Sequence, residues 1–281
     1  MRQNNPDKPL AVVKVGGDVL LDDAQKNGLT KNVADLVNHG WQVVLLHGGG
    51  PQVNRLQTQL GLTPKKVGGR RITGPDDLRV VKQAIVGEVN VDLVSALIRE
   101  GIPAFGCHGA SGRLIQAVKR PPRVVSGAGD TPVDFGEVGD VVGIDQAALT
   151  PLLAAGFVPV IATLGVGDDG RIFNINADTT VVRLAEALSA DLLILTTAVG
   201  AVFEDLSRPD SRIPMIDEVL ARQLIQDGVI ADGMIPKIEE ALAVVRQGVG
   251  AVVILSGAAE GAFLKAAQGS TEFGTRIVDS R

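Results

Sequence analysis

Two lysines, one aspartate and two glycine-rich turns are the residues of this sequence whose types and spacing could do chemistry. Lys14 lies in the apolar run LAVVKV (residues 10–15), with only Val15 between it and Gly16-Gly17. A lysine in a buried strand costs desolvation unless it is paired. Lys237, in DGMIPK, falls in the first turn of an expected helix, where positive charge opposes the macrodipole. Each has a plain reading: Lys14 snorkels, and Lys237 points into water. Together they are two cations placed for a multiply charged anion, such as a transferring phosphoryl group. Asp178, in NINADTT, is either an ordinary N-cap or the carboxylate that holds both ammonium groups.

The glycines allow two readings as well. KVGG and LLHGGGP both occur where an apolar strand stops, and Pro51 follows the second as a good early helical residue. The glycines either permit tight strand–helix turns or let backbone N–H groups approach an anion at a helix N-terminus. Ligands of parallel sheets sit at the carboxyl ends of the strands, where both turns lie. There is no GxxxxGK[ST], and HGGGPQ is not a dinucleotide fingerprint. No G-x-S-x-G elbow accompanies HGGG, which argues against an esterase oxyanion loop. In GGRRIT (68–73), an Arg fork suits a substrate carboxylate; Arg70 reads better as part of an exposed basic hairpin.

These residues need a scaffold. The 281 residues are 45% hydrophobic, enough for one large α/β domain or two lobes. Net charge is −5 with no long basic run, which argues against a nucleic-acid partner. The single Cys107 excludes an internal disulfide and fits a reducing, cytoplasmic setting. The polar start MRQNNPDKPL does not read as a signal peptide. LLAAGFVPVIATLGVG is interrupted and too short to span a bilayer, so no membrane partner is expected.

Short apolar runs at 10–15, 41–46, 102–105, 157–162, 191–196 and 251–256 read as strands. Helical patterns lie at 23–39, 51–60, 76–100, 145–155, 178–189, 217–227, 234–248 and 258–268. This alternation predicts an α/β fold with a mainly parallel sheet covered on both faces. KKVGGRRIT, GRLIQAVKRPPRVV and GVGDDGRIFNI read as hairpins that form a lid.

VKVGG, HGGGPQVN, GGRRIT, GFVPVIATLGV, NINADTT, DGVIADGMIPK and FGTRI, in that order, resemble the amino-acid kinases, specifically the N-acetylglutamate kinases of arginine biosynthesis. The resemblance runs from about residue 10 to 277. It implies a three-layer αβα sandwich with a β-hairpin lid. It also implies an N-terminal lobe (1–188) that binds the acyl amino acid and dimerises, and a C-terminal lobe (189–281) that binds ATP. The reaction implied is ATP-dependent phosphorylation of the γ-carboxylate of N-acetyl-L-glutamate. Lys14 and Lys237 would stabilise the transferring group and Asp178 would orient them. Gly49, Gly50, Arg71 and Asn174 would bind N-acetylglutamate. Gly16, Gly17, Thr197, Gly200, Ile230 and Gly233 would serve the nucleotide. Mg²⁺ would be held mainly by phosphates, with no protein-held metal.

The sequence departs from that family pattern at four places. Thr197, Ser111 and Ser256 stand where aspartates are expected, and Val91 where a lysine is expected. Other readings are a kinase of a related acceptor, such as an acylated aminoadipate, and a non-catalytic amino-acid or nucleotide sensor. About ten residues precede AVVKV, and their Asn and Pro content suits a tail rather than a helix. The expectation is therefore a homodimer insensitive to arginine, because arginine-inhibited hexameric relatives carry an extra N-terminal helix.

Overall fold

Alternation along the first strand sets the architecture. β1 (Leu10–Val15) sends Leu10 and Val12 into one core and Ala11, Val13 and Val15 into another. Both cores are dry, so the sheet is covered on both faces. The computed structural model describes residues 8–125, 130–231 and 234–279. After β1 come β2 (Gln42–His47), β3 (Lys66–Val67), β4 (Arg70–Arg71), β5 (Ala104–His108), β6 (Ile115–Lys119) and β7 (Gly139–Ile144). Then follow β8 (Val158–Ala162), β9 (Leu164–Val166), β10 (Ile172–Asn174), β11 (Leu192–Thr196), β12 (Met215–Ile216), β13 (Val252–Leu255) and β14 (Thr275–Ile277).

The main sheet has the order β12-β14-β13-β11-β1-β2-β8-β5. Its strand pairs are parallel except β13–β14. A second sheet, β10-β9-β6-β7, and the β3–β4 hairpin stand beside it. The helices are α1 (Asp23–Asn38), α2 (Gly50–Gln59), α3 (Pro75–Val81), α4 (Asn90–Arg99), α5 (Thr150–Ala154), α6 (Ala177–Ala187), α7 (Glu218–Gln226), α8 (Met234–Arg246) and α9 (Ala262–Ala267). Buried residues of α1, α4 and α9 share the core of Ala11 and Val13; those of α5 to α8 share the core of Val12. The result is the expected three-layer α/β sandwich.

Register decides where Lys14 points. It follows Leu10 and Val12 onto the α6–α8 face. A one-residue slip of β1 would turn it toward α1 and α9 and expose both apolar sets to the wrong layer. Each fully buried Val or Leu contributes about 1.5–3 kcal/mol, so the slip is strongly disfavoured.

Three expectations need correction. GRLIQAVKRPPRVV is not a hairpin: only β6 is a strand, pairing with the distant β7 and with β9. Pairing across more than twenty residues leaves no local turn signal. The helical pattern 76–100 is α3 and α4 joined by a π-helical stretch, Lys82–Val89. The pattern at 145–155 is a 3₁₀ turn, Gln146–Ala148, followed by the short α5. The KKVGGRRIT and GVGDDGRIFNI hairpins are present as β3–β4 and β9–β10.

Candidate active site

Asn176 caps α6 by accepting the Thr179 N–H at 3.0 Å, which leaves Asp178 in the first turn free to reach elsewhere. Asp178 Oδ1 lies 3.0 Å from Lys14 Nζ and 3.0 Å from Lys237 Nζ. The ordinary N-cap reading of Asp178 is therefore wrong; Asn176 does that work. Lys14 comes from the end of β1, Asp178 from α6 and Lys237 from the first turns of α8. The lysine side chains are only 11% and 15% exposed, so neither is a solvated surface lysine. Burial pushes the Asp178 carboxyl up, and the two ammonium groups outweigh it, so the net direction is down. Asp178 thus stays ionised at neutral pH and is a poor proton acceptor.

The glycine turns fit against each other. A Cβ on Gly17 would stand 2.8 Å from Pro51 Cδ and 3.2 Å from Gly50 N. A Cβ on Gly49 would press on Ile85 at 3.1 Å, while one on Gly50 would meet nothing and project into open space. So Gly17 and Gly49 serve close packing, and Gly50 keeps a surface of the cavity bare. Gln52 ties the loops together by donating to Gly17 O at 3.0 Å.

His47 anchors the second loop from below. It is fully buried, and desolvation lowers its pKa to about 4, so the ring is neutral. Nδ1–H donates to Gly48 O at 2.9 Å, and Nε2 accepts from Asn90 Nδ2 at 2.8 Å. The π-helical stretch sets Ile85 and Val89 against Gly49 and delivers Asn90 to His47.

A cavity of about 550 Å³ opens in front of these groups. Lys14, Gly17, Gly49, Gly50, Arg71, Asn174 and Asp178 line it. Arg71 is held by Gln57 Oε1, by Asn54 Oδ1 at 2.5 Å and by Gly50 O at 3.3 Å. None of these partners is a carboxylate. Burial moves the Arg71 pKa down, and the field of Asp77 opposes that. Gln57 in turn donates to Asp77 at 2.5 Å, which fixes the fork. Asn174 donates to Thr73 Oγ1 at 3.0 Å and leaves its amide oxygen for the cavity.

Gly16, Thr197, Gly200 and Ile230 are not among the described residues that line this cavity. Gly16 N donates to Thr196 Oγ1 at 3.3 Å, joining the ends of β1 and β11. Gly200 has φ +81° and faces Ser256, so its role is a turn that a side chain would strain. Ile230 is 1% exposed and packs in the core of α7 and α8. Gly233 lies outside the described residues. Three departures from the family pattern still cap turns: Thr197 accepts Gly200 N–H at 2.9 Å, Ser111 accepts His108 N–H at 3.3 Å and Ser256 accepts Ala258 N–H at 3.2 Å. A hydroxyl replaces a carboxylate as acceptor and removes a charge. Val91 is exposed on α4.

Sequence reading missed four residues of this region. Arg120, Arg123 and Asp140 line the cavity, and so does Arg70, although its side chain is also exposed. Arg120 and Arg123 flank Pro121-Pro122 in a segment that sequence alone placed in a hairpin.

The amino acid kinase family profile matches residues 9–256. The chain belongs to that family. The chain is 45% identical over 251 residues to the acetylglutamate kinase of Anaeromyxobacter sp. (strain K), covering 89% of this chain and 92% of that one. It is 41% identical to the acetylglutamate kinase of Sorangium cellulosum (strain So ce56), covering 99% and 100%. The crystal structure of N-acetylglutamate synthase from Neisseria gonorrhoeae with coenzyme A and N-acetyl-glutamate superposes with a TM-score of 0.79 at 26% identity. That match spans 100% of this chain and 61% of the synthase.

Proposed function

We propose that the protein is an ATP-dependent kinase of the γ-carboxylate of N-acetyl-L-glutamate, acting in arginine biosynthesis. The observation that carries this reading is the Lys14–Asp178–Lys237 cluster at the end of a cavity lined by Gly49, Gly50, Arg71 and Asn174. The acetylglutamate kinases it resembles over most of its length support the same acceptor.

The chemistry needs no general base. The acceptor carboxylate, with a pKa near ~4.3, is ionised at neutral pH. Its oxygen attacks the γ-phosphorus as the bond to the β-phosphate oxygen breaks, giving an acyl phosphate and ADP. Charge spreads over the phosphoryl oxygens, and Lys14 and Lys237 neutralise it. Asp178 positions both ammonium groups and remains a carboxylate throughout. Arg71 would hold the acceptor's α-carboxylate, the Asn174 amide oxygen would accept from an N–H of the acceptor, and the Gly50 backbone would approach the reacting oxygen.

We assign the acceptor and the dimer contact to residues 1–188 and the nucleotide to 189–281, with Gly16, Gly17, Thr197 and Gly200 presenting backbone and hydroxyl groups to it. Mg²⁺ would enter with ATP and rest mainly on phosphate oxygens. Homodimerisation is proposed along β5, the end strand of the main sheet, where Phe105, Phe157, Ile98 and Val91 are exposed. No helix among the described residues is long and apolar enough to cross a membrane. A cytoplasmic location is part of the same proposal.

ADP release across acceptors tests the reading. N-acetylglutamate should give a higher kcat/KM than an acylated aminoadipate, carbamate or free glutamate. Equal or greater turnover of an acylated aminoadipate, carbamate or free glutamate would replace the acceptor.

A further inference from the structure

We propose that Arg120 and Arg123, with Arg70 from the facing hairpin, form a second anion subsite in the cavity that takes a carboxylate on the acyl arm of the acceptor. The proposal rests on the acceptor-kinase reading and extends it to the acyl group.

Charge is the first observation. Among the described residues, seven Lys or Arg line the cavity against two carboxylates, Asp140 and Asp178. Asp178 is committed to Lys14 and Lys237, and Arg71 faces the acceptor's α-carboxylate in the reading above. Asp140 then serves two guanidinium groups with one oxygen. Its Oδ1 lies 2.8 Å from Arg120 Nε, 2.6 Å from Arg120 Nη2 and 3.6 Å from Arg123 Nη2. Glu240 on α8 lies in the field of Arg70. Among the described residues, even with Glu240 counted, these three guanidinium groups meet two carboxylates.

Geometry is the second. Arg120 is 9% exposed, sits over the Phe135 ring at 5.8 Å, and its N–H donates to Val138 O at 2.8 Å. Val138 is bridged to Asn174, so the cluster is anchored beside a residue assigned to the acceptor. Arg123 Nε is buried without a partner among the described residues, in a side chain that is otherwise 41% exposed. Burial, then repulsion from Arg120, lowers the Arg123 pKa; Asp140 opposes this and Arg70 adds to the repulsion. Like charges held together with an unfilled donor are costly alone and favourable once an anion arrives. An N-acetyl arm brings a neutral methyl to this wall. An acyl arm ending in a carboxylate brings two acceptor oxygens for an arginine fork.

A free carboxylate or phosphate shares this chemistry, and the test separates the sources. Purified protein is assayed for ADP release with N-acetyl-L-glutamate and N-succinyl-L-glutamate, and binding of each, of succinate and of inorganic phosphate is measured by calorimetry. The wild type should favour the succinyl acceptor about tenfold in kcat/KM and in affinity, the size of one charge-assisted hydrogen bond. Arg123→Gln should abolish that ratio, and Arg123→Lys should keep part of it. A ratio near one in wild type, or a ratio that Arg123→Gln leaves unchanged, overturns the proposal. So does tight succinate or phosphate binding lost in Arg123→Gln with no preference between acceptors, which marks a free-anion site. If neither acceptor releases ADP, the kinase reading fails, and the calorimetric ratio still decides the subsite.

Discussion

The two halves of the molecule meet in one sheet and handle charge in opposite ways. The N-terminal half gathers charged side chains around a cavity: Lys14, Arg71, Arg120, Arg123 and Asp140. In the C-terminal half the described sequence-derived residues, Lys237 apart, are the turn glycine Gly200, the hydroxyl caps Thr197 and Ser256 and the core isoleucine Ile230, with Gly200 bonded to Thr197 and packed on Ser256. Asp178 with Lys237 is a charge contact that crosses between the halves. The contrast is between a cavity lined by charged side chains and turns closed by backbone and small groups. Breaking the charged cluster, Lys237 included, should therefore change kinetics, and breaking the turns of the C-terminal half should change stability.

The largest effects belong to the lysines. Lys14→Ala and Lys237→Ala should each lower kcat by ~10²–10³ with smaller changes in KM. Their effects should be non-additive, because both act on one phosphoryl group and both lean on Asp178. Asp178→Asn should do comparable damage without altering a base limb near neutrality. Steady-state kinetics with folding checked by circular dichroism measures all three. Retention of kcat within a few-fold would mean that the lysines only pack.

A pair of glycine changes sharpens the contrast. Gly50→Ala should place its methyl in open cavity space, keep Tm and raise acceptor KM by roughly tenfold or more. Gly200→Ala should meet Ser256 at 2.8 Å with φ +81° and cost about 1–3 kcal/mol of stability. Thermal melts and acceptor KM values on both variants distinguish the halves. If Gly50→Ala alone loses stability, the cavity assignment fails.

Arg71→Lys should raise acceptor KM about tenfold and leave ATP KM nearly unchanged, because the bidentate fork is lost. A rise in ATP KM alone would reverse the assignment of the halves.

The smallest effect is in pH. The folded His47 titrates at about 4 and the unfolded ring near ~6.5, so between these values the unfolded chain binds the extra proton. Stability should fall as pH falls through that window. The lowered Asp178 adds stability that is lost only at lower pH, as its carboxyl protonates. Urea midpoints across the window should decline in wild type and flatten in His47→Gln.

Much of this was legible in the sequence, for physical reasons. Continuous apolar strands and 3.6-residue periodicity indicated the covered parallel sheet, while the face that Lys14 takes came only with the register of β1. The glycines marked the turns because no other residue fits Gly17 or Gly200. What was not legible depended on distant pairing. β6 finds β7 across a long excursion, and β12 and β14 have two and three residues, too short to show a period. The arginines of the cavity were hidden for the same reason: only the fold brings Arg120 and Arg123 to Asp140. The sequence offered Asp178 as the cap, but Asn176 caps as well by type, and its hydrogen bond from the Thr179 N–H gives it that role.

The central claim is that this cluster transfers a phosphoryl group to a carboxylate. Hydroxylamine trapping tests it most directly, because an acyl phosphate yields a hydroxamate and a hydrolysed phosphate does not. With ATP and N-acetylglutamate, the wild-type protein should form hydroxamate in equal amount to ADP, and Asp178→Asn should form almost none. ADP without hydroxamate, or full hydroxamate formation by Asp178→Asn, would contradict the account.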